Sequence, residues 1–229
     1  MEVSALLFDT DDVLFDDTAW HRWLLQLLGR LGLRTHYRTF INSWRFEYLD
    51  EVHCGKRGFW DALRCFLQSL GLTAGQTEEV MTAAHARRET YYRKIRPLPG
   101  VLATTAKLRG LGVPMGVLCN SASTKPELAH FLDGIGLKDR FRFALPSIEI
   151  GCVKPAPESY LQAIQAMGLP VEQVAFVGHD ARELSGAKAV GMPTIAFNHD
   201  SDAVADVFLE RFDELLNIMD YPFVRLAAG

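Results

Sequence analysis

The sequence has no CxxC pair, no apolar run long enough to span a bilayer, no block of like charge, no internal repeat and no low-complexity stretch. Each absence removes a class of function. The four cysteines, Cys54, Cys65, Cys119 and Cys152, lie far apart in 229 residues, so neither a zinc cluster nor a disulfide framework is expected, and a reducing, cytoplasmic setting fits. The first apolar run, Val3–Phe8, stops at Asp9-Thr10-Asp11-Asp12; it is too short for a signal-peptide core or a membrane span and reads as a strand. A formal net charge of -4 offers no basic surface for nucleic acid or anionic lipid, which leaves small molecules as the expected partners. The chain is compatible with a monomer or a homodimer.

What is present is an ordinary globular composition, 48% hydrophobic and 23% charged, in a chain long enough for one large domain or a domain carrying an insert. Apolar runs of strand length recur at Val3–Phe8, Pro114–Cys119, Gln173–Gly178 and Pro193–Phe197, with a weaker one at Phe141–Leu145. Such runs suit strands buried on both faces of a parallel sheet. Segments with three- and four-residue apolar spacing alternate with them at Ala103–Leu111, Lys125–Ile135, Pro157–Met167, Glu183–Val190 and Val204–Leu216. The alternation predicts a doubly wound α/β fold with a parallel sheet of five or more strands. Residues 17–95 break the pattern, reading as four consecutive amphipathic helices near Thr18–Leu31, Tyr37–Val52, Phe59–Leu70 and Thr77–Arg93. They are expected to form an all-helical domain inserted into a core made of residues 1–16 and 96–229, with Pro97-Leu98-Pro99-Gly100 marking the return.

The chemistry is expected where strands end, since open α/β sheets bind ligands there. Asp9 and Asp11 follow the first strand directly. One can act as a nucleophile while the other, held protonated, donates a proton to a leaving group and later takes one from water; the tetrad also reads as an acidic turn capping a helix. Cys119-Asn120-Ser121 ends a second strand with small polar groups, Lys154-Pro155-Ala156-Pro157-Glu158 opens a helix with a lysine, and Gly178-His179-Asp180-Ala181-Arg182-Glu183 ends another strand with an ionisable cluster.

In this order the segments resemble the four motifs of the haloacid dehalogenase superfamily, phosphoglycolate phosphatase-like and β-phosphoglucomutase-like members included, and residues 17–95 resemble its helical cap. The first motif, Asp-x-Asp-x-Thr/Val, is met by Asp9, Asp11 and Val13. Lys154 matches the third, and Gly186-Ala187-Lys188-Ala189-Val190-Gly191-Met192 matches the helix after the fourth. The resemblance implies a phosphomonoesterase acting on a small phosphorylated metabolite: Asp9 attacks phosphorus, Asp11 is general acid and base, Lys154 neutralises charge, and Asn120 with Ser121 holds phosphoryl oxygens. It also implies Mg²⁺, held by Asp9, the backbone carbonyl of Asp11 and the fourth-motif acids. Two departures stand out. Cys119 occupies a position the family fills with Ser or Thr, and its thiol is a weak donor. His179 and Glu183 fall where the fourth motif has two Asp, which points to Mn²⁺, Co²⁺ or Zn²⁺ beside the imidazole, to Mg²⁺ reached by Asp180 or Glu183, or to no metal.

The metal-free alternative is a 2-haloacid dehalogenase, which Ser43-Trp44-Arg45-Phe46-Glu47-Tyr48-Leu49 resembles, with Arg45 as the group that binds the substrate carboxylate. Asp11, a Tyr in those enzymes, argues for phosphate. A catalytically silent binding protein of the same fold is a third reading. The loop Gly55-Lys56-Arg57-Gly58 is similar to the loop that capped phosphatases lower over their substrate, so that Lys56 and Arg57 meet an anion; it reads equally as a solvated basic turn.

Overall fold

The computed structural model describes residues 3–91 and 95–219. Six parallel strands, β1 (Ala5–Phe8), β2 (Met115–Cys119), β3 (Phe143–Pro146), β4 (Val174–Gly178), β5 (Thr194–Phe197) and β6 (Val207–Leu209), form one sheet in the order β3-β2-β1-β4-β5-β6. The four strong apolar runs and the weaker one all became strands. Their near-continuous hydrophobicity follows from double-sided burial: Leu6 and Phe8 pack on one face of β1, Ala5 and Leu7 on the other. Pro146, which has no N–H to donate, closes β3 at the sheet edge.

The chain order runs outward from β1 to β3 and then restarts at β4 on the other side. The strand order therefore reverses between β1 and β4, where the diverging connections leave a crevice at the carboxyl ends. Phe8 registers with Val177, and the Asp9 amide donates to the Val177 carbonyl at 2.9 Å. The residues following both strands, Asp9 and His179, are thus neighbours by backbone register alone.

Helices α1 (Thr18–Arg30), α2 (Tyr37–Trp44), α3 (Asp50–His53), α4 (Phe59–Ser69) and α5 (Ala74–Tyr91) fill the stretch after β1. The expected helix Thr77–Arg93 begins a turn earlier, and its last two positions, 92 and 93, lie outside the described residues. The segment expected as one helix over Tyr37–Val52 is broken in register: Arg45–Leu49 is a π-helical turn between α2 and α3. The helices share a core of Trp20, Leu24, Phe40, Trp44, Leu63 and Phe66 that continues into one face of the sheet. No helix among the described residues is long and apolar enough to cross a membrane.

After the return come α6 (Val101–Gly110), α7 (Lys125–Gly134), the short α8 (Ser147–Ile150), α9 (Pro157–Met167), α10 (Ala181–Ala189) and α11 (Leu215–Ile218). One expectation is corrected. Val204–Leu216 is not a helix: it contains β6, a single 3₁₀ turn at Phe212–Glu214 and only the start of α11. In β6, Val207 and Leu209 lie inward of the exposed Phe208, and this period-two alternation over only three residues is masked by the helix-like spacing of its neighbours.

Candidate active site

Asp9 begins where β1 ends, and the residue is 4% exposed. The Lys154 ammonium lies 2.5 Å from Asp9 Oδ1 and 2.7 Å from Glu183 Oε2, and the Thr10 amide donates to Asp9 Oδ1 at 2.8 Å. Lys154 is held in place by Asn120: the lysine amide donates to Asn120 Oδ1 at 2.8 Å, while Asn120 Nδ2 donates to the Lys154 carbonyl and to Glu183 Oε1, both at 3.2 Å. The asparagine amide is therefore committed to positioning the lysine and the glutamate. Glu183 arrives from the first turn of α10, which Asp180 caps by accepting from the amides of Arg182 and Glu183 at 2.9 and 3.1 Å.

Proton affinities diverge across this cluster. Burial raises the Asp9 pKa, but Lys154 and then His179 outweigh it, so Asp9 sits below the usual carboxylate range and stays ionised. Asp11 goes the other way. Burial, then Asp17, Asp9 and Asp12, push it well above that range, with Arg45 opposing. One ammonium cannot neutralise both carboxylates it touches, and burial lifts Glu183 to about 8. Lys154 is itself raised, because Asp9 and Glu183 outweigh the burial that would otherwise discharge it.

A cavity of about 790 Å³ opens above these groups and is lined by Asp9, Asp11, Cys119, Asn120, Ser121, Arg45, Lys154, His179, Asp180 and Glu183. The structure thus brings together every strand-end candidate and Arg45. Lys56 and Arg57 are not on the wall. Lys56 is exposed and Arg57 Nε pairs with Glu51 at 3.1 Å. Cys119 is buried, and burial keeps its thiol protonated. Ser121 Oγ accepts from the Ser123 amide at 3.1 Å.

Several cavity residues escaped the sequence reading: Asp17, His21, His53, Arg88 and Tyr91. Apart from Asp17, which precedes α1, they sit on helix faces where lining and packing use the same residue types, and no spacing separates the two uses. Burial lowers His21 to about 4 and His53 to about 3, so both imidazoles are neutral.

The resident metal implied by the fourth motif can be tested on these donors. Among the described residues no three His, Cys, Asp or Glu side chains are arranged to hold a metal ion. Asp180 Oδ1 caps α10 and Oδ2 lies 3.4 Å from Arg45, while Glu183 faces Lys154, Asn120 and Arg45. His179 Nε2 is buried without a hydrogen-bond partner, 3.9 Å from Asp9 Oδ2. The set Asp9, Asp11, His179, Asp180 and Glu183 does not present a hard, octahedral oxygen site in this arrangement.

Residues 3–191 match the profile of haloacid dehalogenase-like hydrolases. The chain belongs to this family. It is similar to the glyceraldehyde 3-phosphate phosphatase of Methanopyrus kandleri, 25% identical with 95% of this chain and 97% of that protein covered. It is also similar to the phosphoglycolate phosphatase of Yersinia pestis, 26% identical over 97% and 96% of the two chains. Among solved structures the haloacid dehalogenase fold recurs in an L-2-haloacid dehalogenase (TM-score 0.69, 22% identical, 95% and 99% covered) and in the L-2-haloacid dehalogenase from Xanthobacter autotrophicus with chloropropionic acid covalently bound (TM-score 0.65, 18% identical, 94% and 98% covered). The chain is accordingly an enzyme of the hydrolase class, with phosphatases among its relatives.

Proposed function

We propose that this hydrolase cleaves phosphomonoesters of a small metabolite through a phospho-aspartate on Asp9. The observation that carries the reading is the split between the first two acids: Lys154, 2.5 Å from Asp9, lowers the proton affinity of that carboxylate, while burial and three neighbouring carboxylates raise that of Asp11 two residues on. Paired carboxylates with opposed proton affinities suit a nucleophile and a general acid. With Oδ1 engaged by Lys154 and Thr10, Oδ2 is the oxygen that attacks phosphorus. The O–P bond to Asp9 forms as the bond to the leaving oxygen breaks, and Asp11 gives that oxygen its proton. Water then attacks the phospho-aspartate, Asp11 takes the water's proton, and phosphate leaves with both carboxyl groups restored to their starting states. Lys154 carries positive charge throughout and balances the transferring group. Displacement of halide from carbon would leave the acid form of Asp11 without a task, and this separates the phosphatase from the dehalogenase reading that Arg45 alone would support.

In this scheme residues 17–95 act as a cap over a core of residues 1–16 and 96–229, closing the cavity and excluding water. Phosphate release from a panel of phosphomonoesters is the test. Asp9→Asn is expected to remove activity to background, and Asp11→Asn to lower kcat by roughly 10²–10⁴-fold, the range for general acid–base groups. Chloride release from 2-chloropropionate that survives Asp11→Asn would sink the proposal.

A further inference from the structure

Arg45 stands apart from the other cavity cations. It opens the π-helical turn Arg45–Leu49, and such turns, with one residue more than an α-turn, recur at functional sites. Its side chain crosses from the helical segment to the strand-end acids, with one terminal nitrogen 3.4 Å from Asp180 Oδ2 and the other 3.9 Å from Glu183 Oε1. The contact joins elements 135 residues apart in sequence. Arg182, on α10 beside these acids, lies over the Phe46 ring at 3.9 Å on the cavity wall. The acids that would otherwise hold a divalent ion are thus already paired, and the position next to Asp9 carries an imidazole.

We propose that Arg45 is the built-in counter-cation of this site, its guanidinium pairing with Asp180 and Glu183, the acids that would otherwise be available to a divalent metal at the fourth motif. Two fixed cations, Lys154 from the core and Arg45 from the helical segment, then supply the positive charge. A guanidinium suits the role because it remains charged when partly buried and presents five donors in a rigid fork, of which those not facing the acids are directed to the cavity. Such a cation is tethered to the part of the chain that covers the site, so the charge is complete only when that segment is seated. The charge pairing is independent of the phosphatase reading; the consequence for turnover rests on it.

The test separates the two. Thermal unfolding of the metal-stripped full chain is followed with Mg²⁺ and with Mn²⁺ added. Wild type and Arg45→Lys are expected to show no shift, while Arg45→Gln, which takes the guanidinium off Asp180 Oδ2 and Glu183 Oε1 and leaves Glu183 with Lys154 and Asn120, is expected to gain metal-dependent stabilisation of roughly 4 °C or more, as a ligand that binds only the native state produces. A wild-type midpoint raised by either metal overturns the proposal. So does an Arg45→Gln protein that stays as insensitive as wild type, and if that variant does not fold, the wild-type and Arg45→Lys arms still decide. In parallel, phosphate release by wild type is expected to stay within about twofold when EDTA is added. Abolition of Asp9-dependent release by EDTA overturns the inference and leaves the phosphatase reading standing, whereas no release under any condition overturns the phosphatase reading while the melting curves still judge Arg45.

Discussion

Asp17 shows how much a single carboxyl can respond to its surroundings. It precedes α1, whose first amide donates to Asp16 Oδ1 at 2.8 Å, lines the cavity, and accepts a 2.6 Å hydrogen bond from the Tyr91 hydroxyl. Burial raises it to about 6, and the Tyr91 bond and Arg45 only partly oppose this. The folded chain therefore binds more protons at this position than the unfolded chain between pH of about 4 and 6. The sign follows: its stabilising contribution is fully present below the unfolded value, is lost as pH rises through the folded one, and is gone at neutral pH. Comparing wild type with Asp17→Asn reports it together with the relief that loss of the Asp17 charge gives Asp11 and Asp12, whose proton affinities Asp17 raises, and both effects act in the same direction. The midpoint difference between the two proteins is expected to move toward the variant as pH rises from 4 to 7; a constant difference would show that Asp17 ionises in the fold as it does in the open chain.

At the scale of elements, α10 is positioned by a contact that only glycine permits. A Cβ on Gly186 would stand 2.7 Å from Pro155 Cβ and 2.9 Å from the Pro155 carbonyl oxygen. Alanine is worth about 1 kcal/mol over glycine inside a helix, but overpacking costs typically 1–3 kcal/mol, and here backbone is among the atoms struck. Gly186→Ala is therefore expected to lower the urea midpoint and to reduce turnover, since α10 carries Glu183 and Pro155 follows Lys154. A higher midpoint with unchanged turnover would mean that the helix slides freely on this loop. Elements of this kind were legible in the sequence where one physical cause dominated. Double-sided burial made β1, β2, β4 and β5 continuous apolar runs, and strand ends announced Asp9, Asn120 and His179. Legibility failed where causes overlapped: β6 is too short for its alternation to stand against the helical spacing of Val204–Leu216, and the π-turn at Arg45 changes register without changing composition. Lys56 and Arg57, which do not line the cavity, could be placed only by the structure, because charge in a glycine-flanked loop says nothing about which way the loop faces.

At the scale of the whole molecule, the helical segment and the sheet meet across a cavity of about 790 Å³, far more than a two- or three-carbon phosphate fills, given that pockets for drug-sized ligands span roughly 300–1,000 Å³. Polar contacts that tie the two sides together include Arg45 to Asp180 and Glu183, Arg38 to Asp202 at 2.6 Å, the Ser147 hydroxyl to the His53 carbonyl at 2.9 Å, and Arg182 over Phe46. Small substrates therefore require the helices to settle further onto the strand ends, a motion expected on the microsecond-to-millisecond scale. Orthovanadate, which mimics the transferring phosphoryl group, should draw the two sides together, so backbone amide exchange in Ser43–His53 is expected to slow severalfold when it is bound, with α6 and α9 unchanged as internal references. Arg45→Gln should weaken that protection, because the strand-end contact that the segment makes is lost. Unchanged exchange in the wild-type protein would mean that the cavity is rigid at its present size, and larger phosphomonoesters should then be hydrolysed with higher kcat/KM than phosphoglycolate or glyceraldehyde 3-phosphate.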